Sequence, residues 1–152
     1  MGETWPIRVG VNAVIVSDGR LLVVGFDDET GPHYNLPGGG VEQGEPLQAA
    51  VVREVREETS VDVDVGDLLF AHEYHPERDA SDYGAIHKLT LFFECEMPAS
   101  ATPTLPEEPD PNLSEVTWLS LEGIETQPLL PDLGHTWRTI VESEPSDRYL
   151  TG

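Results

Sequence analysis

The chain has 152 residues, enough for one domain with a real core and too few for two ordinary ones. Its 29 acidic residues outweigh 8 basic ones, for a formal net charge of −21, and Lys88 is the only lysine. Such a field repels nucleic acid and anionic membrane surfaces, which excludes polyanion binding as a function and poses a question for any small anionic substrate.

The start, Met1-Gly2-Glu3-Thr4-Trp5-Pro6, lacks the basic region and apolar stretch of a secretory signal, and the longest apolar runs are of strand length, so a soluble, cytoplasmic protein is expected. The single Cys95 cannot form an internal disulfide, which agrees with a reducing compartment. The expectation is one domain over residues 1–152.

In chain order, Ile7 to Val16 is β-branched and apolar enough for a strand. Ser17-Asp18-Gly19-Arg20 reads as a turn, and Leu21 to Phe26 as the second arm of a hairpin. Asp27 to His33 reads as a loop, and Tyr34-Asn35-Leu36 as a short extended piece stopped by Pro37-Gly38-Gly39-Gly40. Pro46 suits a first helical turn, where a missing N–H costs nothing, so a helix is predicted from about Pro46 to Thr59.

Val61 to Val65 alternates with period two, and Asp67 to Tyr74 continues as strand. Residues 75 to 84 form a polar loop, then Ile86 to Glu96 is a strand with Leu89, Leu91 and Phe93 on one face. Pro98 to Asn112 holds five prolines and an acidic cluster, a composition that resists pairing as a sheet. Glu115 to Leu119 is one more strand, and Leu133 to Ser143 a closing helix. A mixed sheet with helices packed on it is the economical arrangement.

The predicted helix is divided between core and charge. At about 100° per residue, Glu54, Glu57 and Glu58 share an arc of roughly 100°, while Val51, Val52 and Val55 occupy the adjoining arc. Arg53 is placed to clamp a carboxylate, and Arg56 to meet solvent. Three carboxylates this close repel one another unless a cation intervenes, and hard oxygen ligands suit Mg²⁺ or Mn²⁺ rather than zinc. The glycine run lets backbone approach a metal or phosphate closely. Glu45 either fastens that run or caps the helix.

The stretch Gly39, five residues, Glu45, seven residues, Arg53-Glu54-Val55-Arg56-Glu57-Glu58-Thr59-Ser60-Val61 resembles the Nudix box, G-x5-E-x7-R-E-U-x-E-E-x-G-U with U aliphatic. Every specified position but one is present. The departure is Ser60, where the family usually has a glycine of left-handed φ, at a cost of about 1 kcal/mol.

The resemblance implies an α/β/α sandwich with a mixed sheet, and Mg²⁺-dependent hydrolysis of a nucleoside diphosphate linked to another moiety. It makes Glu54, Glu57 and Glu58 metal-binding carboxylates, Gly38 a carbonyl donor to the metal, Arg53 the residue that orients them, and Glu45 structural. The general base is Glu54 within the box, or an acid outside it, with Glu94, Glu96 and Glu115 as candidates. A nucleotide-sensing module without catalysis and a diphosphate-ester isomerase are the alternatives on this scaffold. A homodimer is compatible with the resemblance. The base or sugar is left to loops outside the box, Asp27 to Tyr34, His75 to Gly84 and Pro98 to Asn112, with Tyr34, Tyr83, Trp118 and Trp137 as aromatic candidates.

Overall fold

The computed structural model describes residues 6–29, 31–77, 86–134, 136–142 and 148–151. Among these, ten strands and two α-helices form two sheets rather than the one expected. Strands β1 (Arg8–Val14), β5 (Gly38–Gly40), β6 (Asp64–Tyr74), β7 (Lys88–Glu96) and β10 (Tyr149–Thr151) make a mixed sheet in the order β10-β6-β7-β1-β5. Here β1 and β7 are parallel, while β5 runs antiparallel to β1. In the second sheet, β2 (Val16–Ser17), β3 (Arg20–Asp28), β4 (Gly31–Asn35) and β9 (Leu129–Leu130) follow one another, and β8 (Leu113–Ser120) pairs with β3.

Alternation on β1 and β7 builds two cores. Val11, Ala13 and Phe93 face helix α1 (Leu47–Thr59), meeting Ala50, Val51 and Val55. Val14 and Phe92 face the other way and join Leu21, Val23 and Leu36 between the sheets. Helix α2 (Thr136–Glu142) closes this second core by inserting Trp137 edge-on against Phe70 and Phe92. The indole N–H of Trp137 donates to the Pro131 carbonyl at 3.0 Å, so its polar edge is satisfied while the ring is buried.

Several boundaries differ from expectation, among them the strand expected from Val61, which begins at Asp64. The segment read as a loop from Asp27 to His33 is mostly strand, because β3 and β4 pair in register from Val24↔Asn35 out to Asp28↔Gly31. The glycine run does not stop a strand but is one: Gly38, Gly39 and Gly40 pair with Asn12, Val11 and Gly10. Helix α1 starts at Leu47, with Pro46 extended at the N-cap. Helix α2 starts at Thr136 rather than Leu133, because Gly134 is left-handed at φ 56°; Ser143 lies outside the described residues. The proline-rich segment forms no strand, as its composition requires, but it is tied down: Thr104 N–H donates to the Thr59 carbonyl at 2.8 Å.

Candidate active site

Helix α1 packs its valines on the mixed sheet and leaves Glu54, Glu57 and Glu58 along its flank. Their neighbour is β5, whose glycines leave room for them. A Cβ on Gly39 would stand 2.5 Å from the Glu54 carboxylate, and one on Gly38 would stand 2.1 Å from the Val11 carbonyl oxygen. Glycine therefore lets the carboxylates lie directly on the strand backbone.

One guanidinium braces the arrangement. Arg53 donates from Nε and Nη2 to both oxygens of Glu45, at 2.7 and 2.9 Å, from Nη1 to Glu54 at 2.8 Å, and from Nη2 to the Gly40 carbonyl at 3.0 Å. Loop, strand and helix thus meet on one planar group whose fork suits bidentate pairing. Glu45 also accepts the Glu42 N–H at 3.1 Å, and the hydrogen bond from Arg53 holds its carboxyl down to about 2. The helix has no side-chain cap, so Glu45 fastens the loop instead. Arg56 turns to solvent as expected, paired there with Asp62 at 2.5 Å.

The three glutamates differ in surroundings. Glu57 is exposed, with 57% of its side chain accessible, and reaches Arg53 only at 3.4 Å. Burial raises the pKa of Glu54, against the hydrogen bond and charge of Arg53. Glu58 is the most perturbed. Burial pushes its carboxyl up to about 8, the Gly38 N–H donating at 2.7 Å opposes this, and the charges of Glu54, Glu57 and Asp110 add to it. No three His, Cys, Asp or Glu side chains among the described residues close on a common point, since Arg53 draws Glu54 while Gly38 draws Glu58. All the donors are hard oxygens, and a buried carboxylate crowded by like charges is relieved by a cation, so the residues fit a divalent metal ion.

Two cavities flank this group. One of about 570 Å³ lies between the three glutamates and Pro106, Glu107, Glu108 and Asp110 of the proline-rich segment. The second, of about 300 Å³, reaches Gly38 and Glu58 from between the sheets and is lined further along by Arg8 and Lys88. Neither Asp110 nor the pair Arg8 and Lys88 stands out in the sequence; a strand's inner face and a loop's return path are set by partners distant in sequence.

Ser60 takes the left-handed conformation its position demands, with φ 64° and its N–H donating to the Arg56 carbonyl. Its hydroxyl then donates to the Thr104 carbonyl at 3.2 Å, pinning the proline-rich segment to the end of α1. The three acids proposed outside the box line other cavities than the box carboxylates do. Glu94 and Glu96 line a separate cavity with Asp67 and Cys95. Glu115 covers Gly25 and, by hydrogen bond and charge, adds to the burial that raises the pKa of Tyr34 in a third cavity of about 250 Å³. Of the aromatic candidates, Trp137 is core, Trp118 packs against the α1 core, and Tyr83 lies outside the described residues, as does most of the predicted 75–84 loop.

The structure thus lays a glutamate-flanked helix on a glycine strand, braced by one arginine, within an α/β sandwich. The chain belongs to the Nudix family: the NUDIX domain model matches residues 6–139. Nudix hydrolase 5 of Arabidopsis thaliana is 29% identical over 129 residues, covering 80% of this chain and 39% of that protein. An ADP-ribose pyrophosphatase of Methanocaldococcus jannaschii is 38% identical over 74 residues, covering 47% of this chain and 42% of that one. The chain thus spans about two fifths of the length of these curated relatives. Among solved structures, a NUDIX hydrolase from Nitrosomonas europaea superposes with a TM-score of 0.74 at 22% identity, covering 95% of this chain and 93% of that one, which shows the shared fold.

Proposed function

We propose that this chain hydrolyses a nucleoside diphosphate linked to another moiety, using Mg²⁺ or Mn²⁺ held by Glu54, Glu57, Glu58 and the Gly38 carbonyl. The observation that carries this reading is Glu54 and Glu58 laid against a strand of glycines, with Glu57 on the same helix and Arg53 locking helix, strand and loop together. A name borne by one relative, ADP-ribose pyrophosphatase, belongs to the same reaction class.

The bound cation would neutralise the diphosphate, acidify a water and stabilise the leaving oxygen. The chain's own residues supply the rest. Arg53 fixes the Glu54 carboxylate, and the absent Cβ of Gly39 leaves room for it. Glu54, held against β5 and braced by Arg53, is the candidate base within the box. Glu94, Glu96 and Glu115 lie at other cavities and carry no part of this proposal.

Product release is measured over a panel of nucleoside diphosphate derivatives with Mg²⁺, with Mn²⁺ and in EDTA. Metal-dependent cleavage to a monophosphate is expected for at least one compound, with a fall of at least a hundredfold in Glu57→Gln. Cleavage that survives EDTA, or full activity in that variant, would refute the proposal.

A further inference from the structure

The inner face of the mixed sheet changes character along its length. With side chains alternating, β1 presents Arg8, Gly10, Asn12 and Val14 to the second sheet. Val14 belongs to the core between the sheets, whereas the preceding three line the 300 Å³ cavity. On β7 the same change occurs: Phe92 is core, while Lys88 and Thr90 line the cavity. Gly10 confirms the common facing, since a Cβ on it would stand 3.8 Å from the Thr90 hydroxyl. The sandwich is therefore filled with apolar side chains at one end and opens as a polar, cationic cleft at the other.

Arg8 and Lys88 are direct neighbours in the parallel register of β1 and β7. Like charges placed opposite one another destabilise a sheet, and Arg8, at the start of β1, keeps an exposed side chain at the mouth of the cleft. No carboxylate among the described residues forms an ion pair with Arg8. Its guanidinium instead leans over β5, where a Cβ on Gly40 would be 3.0 Å from Nη2. Lys88 is half-buried beside it, and burial, then the charge of Arg8, lowers the pKa of its ammonium. In a chain with 8 basic and 29 acidic residues, the strand register sets two cations side by side at one cleft.

The place of that charge follows from the register. Gly40 is two residues from Gly38, about 7 Å along the strand. An anion under Arg8 and Lys88 is then separated from the Gly38 and Glu58 end by more than one phosphoanhydride link. Between the two ends, Asn35 lines the cleft with its Oδ1 buried and without a hydrogen-bond partner, an acceptor free for a ligand hydroxyl or N–H. Phe26 supplies an apolar wall.

We propose that this cleft seats the part of the substrate beyond the scissile diphosphate, and that this part carries its own phosphate monoester, gripped jointly by Arg8 and Lys88. The inference rests on the reading of the chain as a diphosphate hydrolase and names its substrate class: diphosphate-linked nucleotides bearing an additional phosphate.

The test uses matched pairs that differ by a single ribose phosphate. Hydrolysis of NADPH is compared with NADH, and of coenzyme A with its dephospho form, in wild type, Arg8→Met, Lys88→Met and the charge-keeping Arg8→Lys and Lys88→Arg. In parallel, AMP and adenosine bisphosphates are titrated by calorimetry in EDTA, where no hydrolysis is involved. The wild type should prefer the extra phosphate by about tenfold in at least one pair, as a charge-assisted hydrogen bond provides. Either methionine variant should remove most of that preference, and the charge-keeping variants should retain most of it, which separates lost charge from lost folding. A wild type indifferent to the extra phosphate in both assays overturns the proposal, and so does a preference that survives both methionine variants. Hydrolysis of both members of a pair at equal rates leaves the diphosphatase reading standing and the anion seat refuted. A bisphosphate preference in EDTA without turnover of any compound supports the seat and refutes the diphosphatase.

Discussion

Glu58→Gln, studied without divalent cations, isolates the cost of holding the most buried carboxyl of the site. In the unfolded chain this group titrates near its ordinary 4.5, whereas burial raises it to about 8 in the fold. Between those values the folded protein carries a proton that the unfolded chain has released, so stability falls as pH rises, by up to about 1.4 kcal/mol per pH unit. The slope flattens on approaching the folded pKa, so from about pH 6 to about pH 8 Glu58 alone removes about 2 kcal/mol. A glutamine has no such proton, and its amide oxygen still accepts the Gly38 N–H that now reaches Glu58 at 2.7 Å. Urea unfolding in EDTA should therefore show the wild type losing about 2 kcal/mol more than the variant across that window. Saturating Mg²⁺ at the upper end should restore the wild type and leave the variant unmoved, because the cation binds the ionised carboxylate. Parallel pH dependences of the two proteins in EDTA would refute the burial argument, since every other titrating group is common to both.

Gly39→Ala places a methyl 2.5 Å from the Glu54 carboxylate, so Glu54 must swing off β5; a fall in Mg²⁺ affinity of tenfold or more, read by calorimetry, is expected with the fold retained by circular dichroism. At Ser60 two effects are separable. Ser60→Ala keeps the left-handed strain and loses the hydrogen bond to Thr104, costing about 0.5 to 1 kcal/mol, whereas Ser60→Gly also relieves about 1 kcal/mol of strain and comes out near neutral. Equal midpoints for the two variants in urea would show that the φ of 64° carries no cost.

The box was readable because its constraints are local. Glu54, Glu57 and Glu58 share a flank by helical geometry alone, Val51 and Val55 share the buried one, and the left-handed turn at Ser60 follows from where the helix ends. Chain order likewise located the five longest strands, since β1, β3, β6, β7 and β8 announce themselves by apolar or alternating runs. What escaped is non-local. Gly38 to Gly40 form a strand only because β1 supplies a partner, and the two-residue strands β2 and β9 hold too few side chains to leave a pattern. Asp110 comes near Glu58 because the proline-rich segment is tied back at Thr59 and Ser60, through bonds spanning more than forty residues.

The acidic composition shows why the cationic cleft was the hardest feature to read. Residues Ile7 to Val16 look uniformly suited to a strand, and nothing in them says which alternate set faces inward. Once a second sheet covers the side occupied by Arg8, Gly10 and Asn12, the same residues change meaning: an arginine at the end of a strand becomes one wall of a cleft ending at Glu58. The sheet register then brings Lys88 beside it from eighty residues away. A net charge of −21 opposes the approach of a polyphosphate from every direction. The remedy we propose is local: a divalent cation held by the box glutamates at one end of the cleft and Arg8 with Lys88 at the other. Positive charge is thus sparse over the molecule but concentrated along the line on which the substrate is proposed to lie.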